Sequence, residues 1–386
     1  MSLDSKFEVI VIGGGAIGCT IAYYLRSEGF KVALVDKGPI GVEASWASAG
    51  IIGPGVFPEG NSWFKPATKI SKQLYDELNL ILFEETGHWV GYGGQGTMTL
   101  AFDIEEANEI KQHVEEVNGD DVPVEILMGV EARQREPALP ENVVAVMLRP
   151  DGRFLDARNY TLTIAKAAEI KGVTIHQGWP VTEILWEGSK IIGVKSGDSK
   201  LLADYVINAA GAWGGRLDPK LFLPIFPDHG QIMALNGPVN GLRHTLCRWN
   251  QSGYITPRVD GRVLVGATHE QIGFEKRITP AGVGFLSGIT KRVLPTLINR
   301  SILDIWSGLR PATKDGLPVI GPDCRTSGGY LWATGHSSEG MMQAPATGKV
   351  IVDLVSGKPP RIPIGKVSVK RFKDTIETFE SKINLF

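Results

Sequence analysis

Apolar positions along this chain fall into alternating strand and helix periods from the start. Val9 to Ile12 form an unbroken apolar run of strand length, and Ile17, Ile21, Tyr24 and Leu25 then recur at helical spacing. A second apolar run closes on Asp36, so the stretch 7–36 predicts strand, turn, helix and strand. The periodicity predicts another helix over 61–86, with Ile70, Leu74, Leu78 and Ile81 on one face. Trp63 and Phe64 at its head could be read as a membrane anchor, but a core-facing helix is the commoner reason for such residues. A further amphipathic helix is predicted over 103–118, with Ile110, Val114 and Val117 in phase and Gly119 as its stop. The segment 148–172 reads as a loop and then a helix, with Asp156 as N-cap and Gly172 ending it. Short strands follow, and the one from Leu202 to Asn208 empties into the small residues Ala209, Ala210, Gly211 and Ala212 before Trp213. Such an ending suits a second approach to a nucleotide, or an ordinary strand-to-helix turn.

Between 230 and 265 the texture changes to alternating strands with proline. Two strands joined by Asp260-Gly261 read as a hairpin, and Tyr254, Thr256 and Arg258 share one face of the first. This predicts an antiparallel sheet and hence a second domain; its polar face is either solvated or lines a pocket. Helix resumes over 279–299. A strand over 330–335, a turn and a helix of small residues then mirror the opening unit, and that helix would aim a positive N-terminus at whatever lies over the turn. Beyond Gly357 the chain turns proline-rich, then basic and amphipathic, as a surface-packed tail would. The fold class expected is α/β: a Rossmann-like nucleotide-binding domain with a second, α+β domain carrying an antiparallel sheet.

Composition narrows the function classes. A chain of 386 residues has room for two domains and a large core. Its net charge of -2 gives no electrostatic reason to expect nucleic acid or an anionic membrane as partner. Cys19, Cys247 and Cys324 stand far apart without metal-ligand spacing, so neither a disulfide framework nor a metal site is expected. No apolar run has the length of a membrane span, and the polar Met1 to Lys6 introduces no signal peptide, so the default location is cytoplasmic.

Candidate chemistry enters with the glycines of the opening turn. Gly13, Gly15 and Gly18 form G-x-G-x-x-G between a strand and a helix, where Gly13 permits the tight turn, Gly15 lets backbone approach a pyrophosphate and Gly18 lets helix and strand pack closely. The N-terminus of the helix, at Ala16 and Ile17, offers unpaired N–H groups to phosphates. Asp36 sits where an acid hydrogen-bonds ribose hydroxyls, and it would repel a 2′-phosphate. FAD and NAD both remain open on this motif alone. The following segment is rich in small residues; Ala44, Ser45 and Ser48 with the Ala49-Gly50-Ile51 backbone could run along an extended ligand and its flat ring, or could form a mobile surface loop.

Taken together, the opening motif with Asp36, SAGII, AAGAW, GYITPRVDGRVLVGAT, WSGLRPATKDGLPVIGP and ATGHSSEGMMQAPATGKVIVDLV resemble the flavin-dependent D-amino-acid oxidase superfamily, in its glycine oxidase and sarcosine oxidase branch. The resemblance runs from end to end in family order. It implies FAD as cofactor, in a domain assembled from 1–83, 148–219 and 305–386, with 84–147 and 220–304 forming the substrate domain. It implies that Gly13, Gly15 and Gly18 line the pyrophosphate, that Asp36 and Lys37 meet the adenosine ribose, and that Val181 meets adenine through its backbone. Ala44, Ser45, Ala49, Gly50 and Ile51 would follow the ribityl chain and ring, and Ala210, Gly211 and Trp213 would supply the second approach. Gly335, His336, Ser337, Ser338, Glu339, Gly340 and Met341 would wrap the pyrimidine end of the isoalloxazine.

Arg310 matches the arginine that holds a substrate carboxylate, a role suited to a guanidinium's two parallel donors. The competing role is a buried ion pair with a nearby acid such as Asp315. Tyr254 matches the tyrosine donating to the same carboxylate, and His269 falls among pocket-lining positions. The chain departs from the branch after Gly335-His336: Ser337 and Ser338 replace an aromatic and an arginine, and Glu339 follows. Glu339 could contact a substrate amine or cap the next helix. No cysteine occupies that turn, so FAD is expected to be non-covalent. The activity implied is oxidation of the C–N bond of a small or medium amino acid, or its N-alkyl form, by hydride transfer to FAD, giving an imine and then an oxo acid while oxygen becomes hydrogen peroxide. The alternatives are a dehydrogenase passing electrons to a quinone or carrier protein, and a flavin-binding protein without turnover. The partners implied are an amino-acid substrate and oxygen or another acceptor, with homo-oligomerisation open.

Overall fold

The computed structural model describes residues 5–53, 63–117, 124–237 and 242–373. β1 (Ser5–Ile12), α1 (Ala16–Ser27) and β2 (Val32–Val35) form the expected opening unit. α2 (Ala44–Ala47) and β3 (Ile51–Ile52) lead to α3 (Phe64–Thr86). β4 (Thr97–Ala101), α4 (Ile104–Val117), β5 (Glu125–Met128), α5 (Gly129–Arg135) and β6 (Ala145–Arg149) come next. β7 (Arg153–Phe154) and α6 (Ala157–Ile170) return the chain to the first sheet through β8 (Thr174–His176), β9 (Glu183–Glu187), β10 (Lys190–Ser196) and β11 (Ser199–Asn208). β12 (Phe226–Leu235), β13 (Thr245–Arg248), β14 (Tyr254–Pro257) and β15 (Val263–Gly266) precede α7 (Pro280–Val293). β16 (Ile302–Ala312), β17 (Val319–Pro322), β18 (Tyr330–Thr334) and α8 (Gly340–Val355) complete the regular elements.

Two eight-stranded sheets organise these elements. The first runs β17-β18-β11-β1-β2-β8, parallel from β18 to β8, with β10 and β9 added antiparallel beyond β11. Its β2 and the later parts of β1 (Val9–Ile12) and β11 (Tyr205–Ile207) read as apolar runs because chain packs on both faces of the sheet there. The second sheet runs β16-β12-β15-β14-β13-β4-β6-β5 and is antiparallel except where β13 meets β4. The mixed fold matches the α/β class expected. The domain edges anticipated at 148 and 305 fall inside β6 and β16, and both strands lie wholly in the second sheet.

Several local expectations shift once packing decides. On α3 the buried face is Phe64, Ala67, Ser71, Tyr75, Leu78 and Leu82, whereas Ile81 is exposed. Trp63 and Phe64 are core residues, and the Trp63 indole donates to Gln343 Oε1 at 2.8 Å. Asp156 caps α6 as read, accepting from the Arg158 and Asn159 amides at 3.0 Å each. α7 starts on the Thr279 cap and ends at Val293, short of 299, because Leu294 leaves helical geometry before Pro295. In the tail, Val367, Val369 and Phe372 are buried against the body. Gly119 lies outside the described residues.

Candidate active site

A cavity of ≈ 1840 Å³ runs from the β1–α1 turn, under α2 and the start of α8, to the inner face of the second sheet. At one end Gly13, Gly15, Ala16 and Ile17 line it, with Asp36 and Lys37 after β2 and Val181 opposite. Gly13 lies at φ +108, and a Cβ there would stand on the Ala209 carbonyl. Gly18 lies behind the wall: a Cβ on it would strike the Gly13 carbonyl, so it serves packing alone and does not line the cavity. Asp36 accepts from the Gly14 amide at 2.6 Å and the Gly38 amide at 2.8 Å. Burial raises its carboxyl, against the pull of those two amides and of Lys37. Lys37 lies 3.3 Å from the centre of the Trp213 ring, so the segment after β2 and the turn after β11 close on each other.

Ala44, Ser45, Ala49, Gly50 and Ile51 form the middle of the wall. Ser45 accepts from the Ala16 amide at 2.8 Å, so its oxygen serves the start of α1 while its O–H stays available to donate. Gly50 takes φ +62 and leaves no room for a Cβ beside the Leu155 carbonyl. Ala210, Gly211 and Trp213 face the same space after β11.

The start of α8 supplies His336, Ser337, Ser338, Glu339, Gly340 and Met341. Gly335 does not line the cavity; it makes the turn at φ +77, packed against Thr313 and Val319. Burial pushes the His336 imidazole down to about 3, so it is neutral; Nε2 pairs with Thr347 Oγ1 at 3.0 Å. Its Nδ1 is buried without a hydrogen-bond partner among the described residues. Glu339 occupies the N-cap position of α8 but its side chain makes no cap hydrogen bond. Among the described residues its carboxylate accepts from the Ser338 hydroxyl at 3.2 Å, and burial raises its carboxyl. The capping role weighed for Glu339 is therefore absent.

The second sheet brings Arg310, Tyr254 and His269 to the far end. Tyr254 lies across β14–β15 from Gly266, and its hydroxyl fills the place a Cβ would take there. Burial pushes the phenol up to about 12, against the charges of Arg310 and Arg258, so at neutral pH it is a donor. The Arg310 guanidinium lies over Gly230, where a Cβ would collide with it. Its ion partner is Asp228, at 3.2 Å, and not Asp315, which pairs with Arg371. His269 Nδ1 shares the same Asp228 oxygen at 2.8 Å. Burial opposes ionisation of Asp228, but the His269 hydrogen bond and the Arg310 charge outweigh it and hold the carboxyl below its usual range. Asp228, Gly230 and Gly266 had no sequence signal of their own, since register alone brings them to the site. Beyond Tyr254 the same sheet face continues through Cys247, Thr99 and Arg149, which also line the cavity.

Comparison with known proteins follows the same outline. A family model, FAD dependent oxidoreductase, matches residues 8–354. The chain is 31% identical over 372 residues to a glycine oxidase of Geobacillus kaustophilus, covering 96% of this chain and 98% of that protein. The crystal structure of glycine oxidase from that organism superposes with a TM-score of 0.88 at 30% identity, over 94% of this chain and 98% of the other. The L-proline dehydrogenase of P. horikoshii superposes with a TM-score of 0.83 at 26% identity, over 97% and 99%. The cavity suits an FAD on grounds of its own. It is larger than the ~300–1,000 Å³ of ordinary ligand pockets. Gly13, Gly14 and Gly15 line it without side chains, and His336, whose Nδ1 is buried without a hydrogen-bond partner among the described residues, lines it as well.

Proposed function

This chain belongs to the FAD dependent oxidoreductase family, and from that membership we propose that it oxidises the C–N bond of a small or medium α-amino acid, or its N-alkyl form, with oxygen as the electron acceptor. The observation that carries the reading is that Arg310 and Tyr254 line one cavity together, close enough for the Arg310 charge to act on the Tyr254 phenol. Bound FAD supplies the two-electron acceptor for hydride leaving the substrate's α-carbon.

The remaining work falls to the chain. The Gly13 to Ile17 turn and the N-terminus of α1 hold the pyrophosphate, Asp36 the ribose, and Val181 the adenine end. Residues 44–51 follow the ribityl chain, and the start of α8 directs its positive end at the ring. Arg310 and the protonated Tyr254 fix the substrate carboxylate, which orients the α-hydrogen. Glu339, in the cavity and beside β16, presents a carboxyl to the substrate amine. The amine is neutral when hydride leaves, so the product is an iminium that water hydrolyses to an oxo acid and an amine or ammonia. The glycine oxidases among the relatives support oxygen as acceptor.

Anaerobic mixing with glycine, sarcosine, D- and L-amino acids and the proline isomers tests the reading. Bleaching of the flavin is expected with at least one, followed in air by one peroxide per turnover. Bleaching by none would end the enzyme reading, and dye reduction in air without peroxide would move the acceptor to a quinone or carrier. Gly230→Ala tests the anchor independently. A Cβ there displaces the Arg310 guanidinium, so KM for the amino acid should rise by roughly tenfold or more with FAD content unchanged; an unchanged KM would show that the guanidinium's seat does not matter.

A further inference from the structure

The guanidinium of Arg310 has five N–H donors, two of them on Nη1. Nη1 donates to Asp228 Oδ2 at 3.2 Å and to the Thr268 carbonyl at 3.1 Å, which uses both. Asp228 stands directly opposite Arg310 in the β12–β16 ladder. Thr268 is itself held: its hydroxyl accepts from the Gln231 amide at 2.9 Å and donates to Glu270 at 2.7 Å. Gly230 leaves the floor beneath the guanidinium flat. Nη2 and Nε have no hydrogen-bond partner among the described residues.

We propose that Asp228 is a positioning residue for substrate recognition: by holding Nη1 together with the Thr268 carbonyl, it turns the Nε–Nη2 edge of Arg310 to the cavity. That edge can give two parallel hydrogen bonds to one carboxylate. Asp228 does not line the cavity, so it acts through Arg310. His269 secures it from the open side, donating Nδ1 to the same oxygen while its ring is 59% exposed. The inference rests on the reading that Arg310 takes a substrate carboxylate.

Charge and position make opposite demands here. Asp228 is an anion beside the group that must attract an anion, so on charge alone its neutralisation would tighten carboxylate binding. Its geometry works the other way, because a guanidinium free to swing loses its fixed donor pair. Asp228→Asn keeps an acceptor oxygen in place and removes the charge. Asp228→Glu keeps the charge and moves the oxygens by one methylene.

The experiment titrates the FAD-loaded wild type, both variants and Arg310→Ala with glycolate, following the visible flavin absorbance, and records flavin content and Tm for each. Positioning predicts that Asp228→Glu weakens glycolate by about tenfold or more, while Asp228→Asn changes it by less than about threefold. Glycolate affinity in Asp228→Glu equal to wild type, or both variants weakened alike, would overturn the inference. So would loss of flavin from Asp228→Glu, which would make Asp228 a residue of the fold. If wild type fails to bind glycolate at all, the carboxylate reading falls and the inference with it. Binding by wild type, its loss in Arg310→Ala and no change in Asp228→Glu would sink the inference alone.

Discussion

Arg310→Ala is expected to leave FAD bound and to cost on the order of 3 kcal/mol in kcat/KM for carboxylate substrates, roughly a hundredfold or more. The guanidinium is half-buried, seated on Gly230 and tied through Nη1 alone, so truncation removes the donor edge without opening the core. The cavity-lining residues of the β1–α1 turn come from the other sheet, and Arg310 hydrogen-bonds only Asp228 and Thr268 among the described residues. Truncation also strands Asp228, whose carboxyl would keep only His269 as a side-chain partner among the described residues. Some loss of stability follows from that, and a Tm measured beside the kinetics separates it from the loss of recognition. The discriminating control is an amino-acid amide: it lacks the carboxylate, so the variant and wild type should turn it over alike. An unchanged kcat/KM for amino acids would remove Arg310 from the site.

How much of this site was legible in the chain depends on how local its cause is. The opening turn was readable because its constraints are short-range: strand period, glycines, helix period and a terminal acid stand within 7–36. Gly335 and Gly18 pack behind the cavity wall, a placement that a glycine's spacing in the sequence does not reveal. The partner of Arg310 was sought five residues away, at Asp315, whereas the pair is made 82 residues upstream. Register decides this: β16 lies antiparallel to β12, which sets Asp228 opposite Arg310, while Asp315 falls beyond the strand end and meets Arg371. The same strand, β16, belongs to the second sheet through Ala312 while its Gly308 packs on Ala47 of α2, so position 305 lies within a strand that meets both parts of the chain. On α3, Ile70, Leu74 and Ile81 satisfied the period, yet Ser71 and Tyr75 took the interior. Both have polar partners across the interface, Ser71 in the Ala346 amide and Tyr75 in the Met341 carbonyl.

Gly13→Ala is expected to abolish FAD binding, and the reason lies in how tightly the turn is pinned. Gly13 follows β1, where Ile12 pairs with Asn208 of β11, so residues 13 and 209 come next to each other in the ladder. The Gly13 amide donates to the Val35 carbonyl at 2.8 Å, and the Ala209 amide to the Ile12 carbonyl at 2.8 Å. A Cβ on Gly13 would stand on the Ala209 carbonyl, and moving away would break one of those two bonds. It would also disturb the Gly13 carbonyl, against which Gly18 of α1 packs. Backbone strain at φ +108 adds to the clash; the two together cost roughly 2–6 kcal/mol, a large share of a stability of about 5–15 kcal/mol. The variant should purify colourless, with FAD affinity down by at least a hundredfold by titration and Tm lowered. Gly29→Ala is the control: Gly29 also takes a positive φ, +95, but a Cβ there meets nothing within 4 Å. It should lose a little stability through strain and keep its FAD. If Gly13→Ala retains stoichiometric FAD, or if both variants lose it equally, the close approach of the two strand ends is not what the cofactor turn requires.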